Sequence, residues 1–427
     1  MSFFNRRTFL ETGIALGAAA AWAKPFGAST RFCESENQAA YAQSIVSEGT
    51  DSIVPFRIAI PQANLDRIAA QVRETEFPKT VGPPDSWQYG MNFSAMREVV
   101  DYWTLKYDWR KAESALNRYP QFLTWVGDFD IHFYHVRGNG PKPFPIILTH
   151  GWPGSVFEFL GAIGGLTSEG FSFIIPSLPG FGFSSKPTNG PVGPVTTARL
   201  WRTLMTERLG YARYGVQGGD LGCIVSAQLA YLFPNDVAGL HLNLVPPPQV
   251  PIEQQTEDER AWSRDSQEFR ARELDYFQEQ AHKPSTVSFA LNDNPVGTAA
   301  WILEKFNIWS DSGAGFAPAF TLDQLLTNLT IYLVTGTIGS SVCFYRGLLD
   351  ETQGKSFPGR IDVPTAVADF PKDLLNGRPP RSMIERGYNL VRYTRMPRGG
   401  HFAAFEQPEL FCKDVADFFH SLPEARL

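Results

Sequence analysis

The stretch that decides the fold is Tyr214-Gly-Val-Gln-Gly-Gly-Asp220-Leu-Gly222, near the middle of a chain of 427 residues. Residues 211–217 read as a short strand, and the apolar run that begins at Cys223 reads as a helix. A strand, a tight glycine-rich turn and a helix predict a nucleophile elbow, whose usual form is G-x-S-x-G. Small neighbours are needed there because the central residue is strained and the backbone crowds it. Asp220 takes the place of the serine.

The flanking sequence predicts a doubly wound, mostly parallel α/β sheet. The runs 144–149 and 171–176 are continuously apolar, as in strands buried on both faces, and helical patterns follow each of them. Between 249 and 350 the sequence shows helical and charged stretches without a buried strand, which predicts a helical cap inserted into the core. Strand patterns return at 363–368 and 389–393, and an amphipathic helix is predicted over 410–419.

The region before the first buried strand has strand and helix patterns of its own. Residues 56–60 predict a strand, 62–73 a helix, and the segment from 94 to 107 a second amphipathic helix. Strict alternation over 129–137 predicts another strand. His132 and His135 are three apart on it and face opposite sides, so they are poor candidates for a shared ligand site.

Composition excludes several classes of function. The net charge is −6, from 38 basic and 44 acidic residues, and no basic patch is interleaved with aromatics, so no nucleic-acid partner is expected. The 4 cysteines are scattered, and neither C-x-x-C nor H-E-x-x-H spacing occurs. We therefore expect no metal site and no cofactor.

The N-terminus predicts an export signal. Arg6 and Arg7 form a paired-arginine start, and the apolar run 13–22 is shorter than the roughly 20 residues that span a bilayer. This pattern is typical of a twin-arginine signal peptide over 1–30, followed by a linker over 31–51. Ala21-Trp22-Ala23 is one cleavage site, and the Ser/Gly-rich stretch near Ala28 is another. The expectation is a periplasmic or secreted protein without a membrane span in the mature chain; the alternative is an amphipathic or disordered leader.

The remaining catalytic groups follow from their order along the chain. Enzymes with this elbow carry the nucleophile, the acid and the base in that order, with the acid and the base on loops after late strands. His401 is the histidine in a glycine-rich loop after a late strand. For the acid, Asp369 and Asp373 both follow the strand at 363–368, and position alone does not separate them. The backbone amides of Leu221 and Trp152 are the expected oxyanion-hole donors.

Distinctive motifs are spread over roughly residues 52–425. They include His150-Gly-Trp-Pro-Gly-Ser155, Pro176-Ser-Leu-Pro-Gly-Phe-Gly-Phe-Ser184, Gln217-Gly-Gly-Asp-Leu-Gly222, Leu291-Asn-Asp-Asn-Pro-Val-Gly297 and Arg398-Gly-Gly-His-Phe-Ala-Ala-Phe-Glu-Gln-Pro-Glu409. Together these motifs resemble the microsomal-type branch of the epoxide hydrolases, within the α/β-hydrolase superfamily.

The resemblance implies residue roles that spacing leaves open. Phe370-Pro-Lys-Asp373 matches the family's acid motif, which favours Asp373 over Asp369. Tyr276 and Tyr345 match the two cap tyrosines that hold the epoxide oxygen. It also implies an N-terminal meander over 52–140, core segments over 141–248 and 351–427, and the cap over 249–350. The chain departs from relatives in having Leu221 where tryptophan is frequent, and in having an export leader where animal microsomal enzymes have a membrane anchor.

The implied reaction is hydrolysis of a small apolar epoxide to a vicinal diol. Asp220 would form an alkyl ester, and water activated by His401 and Asp373 would hydrolyse it. The enzymatic alternative is a haloalkane dehalogenase-like hydrolase, which shares the Asp–His pair but needs halide-binding N–H donors. A non-catalytic relative that binds a small ligand is the other alternative. The sequence leaves the substrate and the oligomeric state open, and a homodimer is compatible with it.

Overall fold

One mixed sheet of nine strands organises the computed structural model, which describes residues 52–313, 315–316, 318–373, 375 and 378–423. The predicted signal peptide and linker lie outside the described residues. In chain order the strands are β1 (Ile53–Phe56), β2 (Gln121–Val126), β3 (Phe129–Val136), β4 (Phe144–Thr149), β5 (Phe171–Pro176), β6 (Tyr214–Gly218), β7 (Val237–Leu242), β8 (Ile361–Asp369) and β9 (Tyr388–Arg395).

The sheet is parallel except at one edge. Its spatial order is β1-β2-β3-β5-β4-β6-β7-β8-β9. The pairs from β5 to β9 are parallel, whereas β1, β2 and β3 join through antiparallel pairs. The predicted mostly parallel sheet is confirmed, and β6, which leads to Asp220, lies in its interior between β4 and β7.

Helices cover both faces of this sheet. Ile147 belongs to one buried cluster, and its neighbours Ile146 and Leu148 belong to a second, because successive side chains of a strand point to opposite faces. The helices before β7 are α1 (Gln62–Arg73), α2 (Phe93–Leu105), α3 (Trp109–Leu116), α4 (Ile163–Ser168), α5 (Pro194–Thr203) and α6 (Asp220–Leu232). Almost every side chain of α6 is buried, as expected for a helix that is apolar all round.

Between β7 and β8 the described residues contain helices and no strand. They are α7 (Glu257–Glu273), α8 (Asp275–His282), α9 (Pro284–Leu291), α10 (Pro295–Ile308), α11 (Leu322–Thr335) and α12 (Ile338–Thr352). Capping boxes begin α7, at Thr256 and Glu259, and α11, at Thr321 and Gln324. The chain closes with α13 (Arg381–Gly387), α14 (Ala403–Glu406) and α15 (Pro408–Ser421). The exact domain boundaries stay predictions.

Three elements differ from the sequence expectation. β1 covers Ile53–Phe56 and not 56–60, because the ladder to β2 ends where Phe56 pairs with Gln121. β2 is not among the strands predicted from the sequence, because its aromatics are spaced irregularly. β7 was not predicted as a strand, although both of its faces are buried; its short run carries a glycine and His241, which weaken the apolar pattern.

Candidate active site

The elbow places Asp220 at the start of α6 in a strained conformation. Its φ is 48°, a left-handed value that non-glycine residues rarely adopt. The surrounding glycines are required by space: a Cβ on Gly222 would overlap the backbone carbonyl of Thr149, and one on Gly151 would overlap the Asp220 side chain. Backbone strain of this kind is concentrated at functional sites, where packing holds it in place.

The Asp220 carboxylate is held between an amide and an imidazole. Its Oδ1 accepts a hydrogen bond from the backbone N–H of Trp152 at 2.7 Å, and its Oδ2 lies 3.1 Å from Nε2 of His401. The N-terminus of α6 also favours negative charge at this position. Leu221 follows in the first helical turn, where amide N–H groups have no acceptor within the helix. Of the two predicted oxyanion donors, the Trp152 amide contacts the carboxylate, and the Leu221 amide lies in the first turn of the helix that Asp220 begins.

His401 pairs with Asp373, and the other candidate acid is engaged elsewhere. Nδ1 of His401 lies 3.1 Å from Oδ1 of Asp373. Asp369 instead accepts from Arg378 at 2.6 and 2.7 Å and from the hydroxyl of Tyr393 at 2.8 Å. The structure therefore brings Asp373, and not Asp369, to the histidine.

The two carboxylates make His401 a strong proton acceptor. Burial alone would lower the pKa of His401, but Asp373 and Asp220 outweigh it and raise the pKa to about 10. The imidazole is therefore positively charged at neutral pH while Asp220 is ionised. Any reaction that removes the charge of Asp220 removes part of this stabilisation, because an opposite charge nearby favours the protonated form.

A buried carboxylate that the sequence reading missed fixes the histidine loop. Glu406 accepts hydrogen bonds from the backbone N–H groups of Gly400 at 3.0 Å, Phe402 at 2.9 Å and Asp311 at 2.7 Å. Burial raises the pKa of Glu406 to about 7, against the opposing effect of these donors. Glu406 thus clamps the residues on both sides of His401. A single glutamate in the sequence does not indicate this role.

The two predicted tyrosines contact each other in the wall of a cavity that Asp220 also lines. Tyr276 on α8 and Tyr345 on α12 are both buried, with ring centroids 6.0 Å apart at 82°. Tyr276 stacks on the Trp152 indole at 5.5 Å, and Tyr345 meets the same indole edge-on at 5.9 Å. Burial, together with the charge of Asp220, raises the pKa of Tyr276 well above its ordinary value. Burial and the charge of Asp220 also raise the pKa of Tyr345. Both phenols therefore stay protonated and can donate a hydrogen bond.

Two cavities adjoin Asp220. The larger, of about 530 Å³, has Asp220, Tyr276 and Tyr345 in its wall and is otherwise largely apolar, with contributions from Pro246, Trp262, Leu274, Phe277, Leu348 and Phe357. The smaller, of about 20 Å³, is bounded by Asp220, His401 and Glu158. A volume of this size holds one water molecule, and the site is polar enough to bind it.

Glu158 is a second carboxylate that the sequence reading missed. Its side chain packs against Gly154, where an added Cβ would come within 2.7 Å of Oε2. Burial and the charge of Asp220 raise the pKa of Glu158 to about 8, although His401 opposes them. The carboxyl group is therefore mostly protonated at neutral pH and can both donate and accept a hydrogen bond.

Helix α11 and His150 hold the loop that carries the Trp152 amide. Asn328 accepts from the hydroxyl of Ser155 and donates to the carbonyl of Pro153, both at 2.8 Å, and Tyr332 donates to the carbonyl of Gly154 at 2.5 Å. Nδ1 of His150 forms a hydrogen bond with the Gly151 carbonyl, and Nε2 of the same ring accepts one from the N–H of Leu178. The donor to Asp220 is thus fixed before any ligand binds.

Two further features of the described ranges concern metal binding and membrane insertion. Three or more His, Cys, Asp or Glu side chains nowhere gather there into a metal-binding group. No single helix in these ranges is both long and apolar enough to cross a bilayer; α11 and α12 reach the length and composition together, with a bend of 91° between them.

Comparison with known proteins identifies the family. The family model described as epoxide hydrolase N terminus matches residues 53–159, and the model of the alpha/beta hydrolase fold matches residues 145–290. A protein of Stigmatella aurantiaca (strain DW4/3-1) is 40% identical over 383 residues, which cover 87% of this chain and 85% of the relative. Epoxide hydrolase 1 of Oryctolagus cuniculus is 36% identical over 86% of this chain and 89% of its own. The chain belongs to the epoxide hydrolase family.

The family's solved structures agree with the fold. The crystal structure of juvenile hormone epoxide hydrolase from the silkworm Bombyx mori superimposes with a TM-score of 0.80 at 30% identity, covering 88% of this chain and 96% of that one. The predicted α/β-hydrolase fold and the resemblance to epoxide hydrolases are thereby confirmed.

Proposed function

We propose that the protein hydrolyses an epoxide to a vicinal diol through a covalent ester on Asp220. The observation that carries the proposal is the arrangement around this carboxylate. It faces an apolar cavity with two protonated phenols in the wall, and a His–Asp pair lies behind it. A serine in its place would favour acyl transfer, whereas a carboxylate suits attack on a strained ether carbon.

In the first step Asp220 attacks an epoxide carbon. A bond forms between a carboxylate oxygen and that carbon, and the carbon–oxygen bond of the ring breaks. The departing oxygen gains negative charge and takes a proton from Tyr276 or Tyr345. General acid catalysis of this kind contributes typically ~10²- to 10⁴-fold. The step leaves a neutral ester on Asp220.

Formation of the ester converts His401 from an acid into a base. The ester carries no charge, so the pKa of His401 loses the support of Asp220 and falls. The imidazolium then releases its proton and the phenolate left by the first step takes one up. Neutral Nε2 can now take a proton from water in the small cavity, where the carboxyl of Glu158 supplies a further hydrogen-bonding partner. The water oxygen attacks the ester carbonyl, and the bond between this carbonyl and the alkyl oxygen breaks. The proton that remains on the new carboxyl group passes to the alkyl oxygen, which releases the diol and restores the Asp220 carboxylate.

The oxyanion of this second step needs donors that are already in place. The N–H of Trp152 lies 2.7 Å from Oδ1 of Asp220 in the resting state, and the N–H of Leu221 completes the proposed pair. One such donor is worth about 3 kcal/mol in the transition state. The fixed loop around Trp152 means that little reorganisation is required when the charge develops.

A haloalkane dehalogenase-like activity is the second candidate, favoured by one observation. The indole Nε1 of Trp152 is buried and has no hydrogen-bond acceptor among the described residues, so it is an N–H donor that a halide ion could use. The two tyrosines favour epoxide opening instead, because a leaving halide needs no proton. Halide release from short chloroalkanes and bromoalkanes decides between the two.

The test is a panel of styrene-type, terpene-type and long-chain epoxides assayed for diol formation, alongside the haloalkanes. We expect diol from at least one apolar epoxide and none with Asp220→Asn. Halide release without diol formation would favour the dehalogenase reading. Tight ligand binding with neither product would favour the non-catalytic one.

We also propose that residues 1–30 direct export by the twin-arginine route. The paired arginines and the short apolar run support this. N-terminal sequencing of protein recovered from the periplasm or medium should begin after the leader, near residue 24 or 29; an intact Met1 start there would contradict cleavage.

A further inference from the structure

A buried cation lies against the ring of one proposed proton donor. Lys305, on α10, is 8% exposed, and its Nζ lies 4.8 Å from the centroid of the Tyr276 ring and 6.0 Å from that of Trp309. Its ion-pair partner is its chain neighbour Glu304. Lysine is almost never fully buried unless it is paired, because desolvating an ammonium costs free energy. Packing alone would be served by methionine.

Titratable groups from three elements surround Tyr276. Asp220 approaches from the elbow, Glu304 from α10, and Tyr345 from α12. The two carboxylates and burial all disfavour a negative charge on the Tyr276 oxygen. Lys305 is the cation that the described residues bring against this ring. Lys305 is therefore placed to offset the two carboxylates when the Tyr276 hydroxyl loses its proton.

We propose that Lys305 is a positioning residue that stabilises the negative charge developing on Tyr276 during epoxide opening. The inference rests on the proposed function, because it assigns the proton to Tyr276. As the Asp220–carbon bond forms and the ring carbon–oxygen bond breaks, the Tyr276 O–H bond breaks and the product hydroxyl forms. One negative charge moves from Asp220 to the phenol, and the proton that the His401 imidazolium releases after ester formation balances it. An ammonium over an aromatic face favours the anionic ring.

Because Lys305 pairs with Glu304, removing one or the other should change the acidity of Tyr276 in opposite directions. Removing Lys305 withdraws the favourable charge and leaves Glu304 unshielded, so both changes make Tyr276 a weaker acid. Removing Glu304 leaves Lys305 in place and takes away an opposing negative charge, so Tyr276 becomes a stronger acid. A role in packing or folding predicts loss from both substitutions.

The experiment measures the rate of ester formation, by rapid quench and intact mass, in a His401→Gln background where the ester accumulates. Lys305→Met should slow ester formation about 10-fold, and Lys305→Arg should restore it to within about threefold of the parent. Glu304→Gln should raise the rate. The double variant Glu304→Gln/Lys305→Met, which leaves no buried charge unpaired, should fold and give an intermediate rate.

Four outcomes separate the explanations. Equal slowing by Lys305→Met and Glu304→Gln would overturn the inference, as would a full effect of Lys305→Met when Tyr276 is already phenylalanine. Should Lys305→Met fail to fold, a double-variant rate no lower than that of Glu304→Gln alone would also overturn it. If the His401→Gln parent itself forms no adduct with any epoxide of the panel, the proposed function fails, and this inference fails with it.

Discussion

Two buried His–Asp pairs occur among the described residues of this protein, and they differ in what surrounds them. His401 and Asp373 lie 3.1 Å apart beside Asp220, and His241 and Asp414 lie 3.2 Å apart between β7 and α15. Both histidines and both aspartates are almost fully buried. Distance and burial alone would not tell which pair does chemistry.

The difference lies in the second partners. Asp414 also accepts from Arg392 at 2.8 and 2.6 Å and from Thr394 at 2.7 Å. Burial alone would raise the pKa of Asp414, but His241, Thr394 and Arg392 lower it to about 2. By contrast, Oδ2 of Asp373 is buried without a partner among the described residues, and the far nitrogen of His401 faces a carboxylate and a cavity. The neighbours therefore distinguish the two pairs: His401 faces a second carboxylate and a cavity, whereas Asp414 is occupied by Arg392 and Thr394.

The largest predicted contrast is between the two histidines. His401→Gln should lower diol turnover by at least ~10³-fold, because the ester forms and is not hydrolysed. Mass spectrometry should find the alkyl adduct on the peptide that contains Asp220. His241→Gln should leave kcat at 25 °C within about twofold and lower the free energy of unfolding by about 1–3 kcal/mol. Equal losses of turnover in both variants would remove the distinction.

The aspartates should divide in the same way. Asp373→Asn should reduce kcat by ~10²- to 10⁴-fold, because an uncharged amide neither stabilises the imidazolium nor holds the neutral imidazole in its required tautomer. Asp414→Asn should instead destabilise the fold by about 3 kcal/mol, since it leaves Arg392 without its buried partner. Steady-state kinetics and urea unfolding of both variants test this; a catalytic defect in folded Asp414→Asn would contradict it.

A smaller effect is expected from the residue that clamps the catalytic histidine loop. Glu406→Gln should slow ester hydrolysis about 10-fold and leave ester formation unchanged, because it removes an acceptor of the Gly400 and Phe402 amides without touching Asp220. Glu409→Gln, at an exposed position a few residues on, is the matched control. Slower ester formation in Glu406→Gln would point to general damage rather than to the loop.

The smallest effect concerns acid stability. The folded pKa of Asp414, about 2, lies below its ordinary value of 3.8, so its contribution is present above pH 3.8 and is lost as the pH falls through 2. The gap in unfolding free energy between the wild-type protein and Asp414→Asn should therefore shrink by about 2 kcal/mol between pH 4 and pH 2. A gap that stays constant over this range would show that the pair contributes through packing.

How far the sequence predicts this molecule depends on whether a feature is local. The elbow, the two fully apolar strands and the histidine loop are each contained in about ten residues, so their patterns could be read directly. The choice between Asp369 and Asp373 could not, because it depends on Arg378 and Tyr393 occupying the first carboxylate. The contacts of Glu158, Glu406 and Lys305 are set by packing between separate elements, and a lone charged residue carries no sign of such a partner.

The central claim is that an oxygen of Asp220, and not water itself, attacks the epoxide. A single turnover in H₂¹⁸O, with enzyme in excess over epoxide, tests it most directly. The account predicts unlabelled diol and ¹⁸O in the peptide that contains Asp220, because water attacks the ester carbonyl. Labelled diol from the first turnover, with unlabelled Asp220, would contradict it.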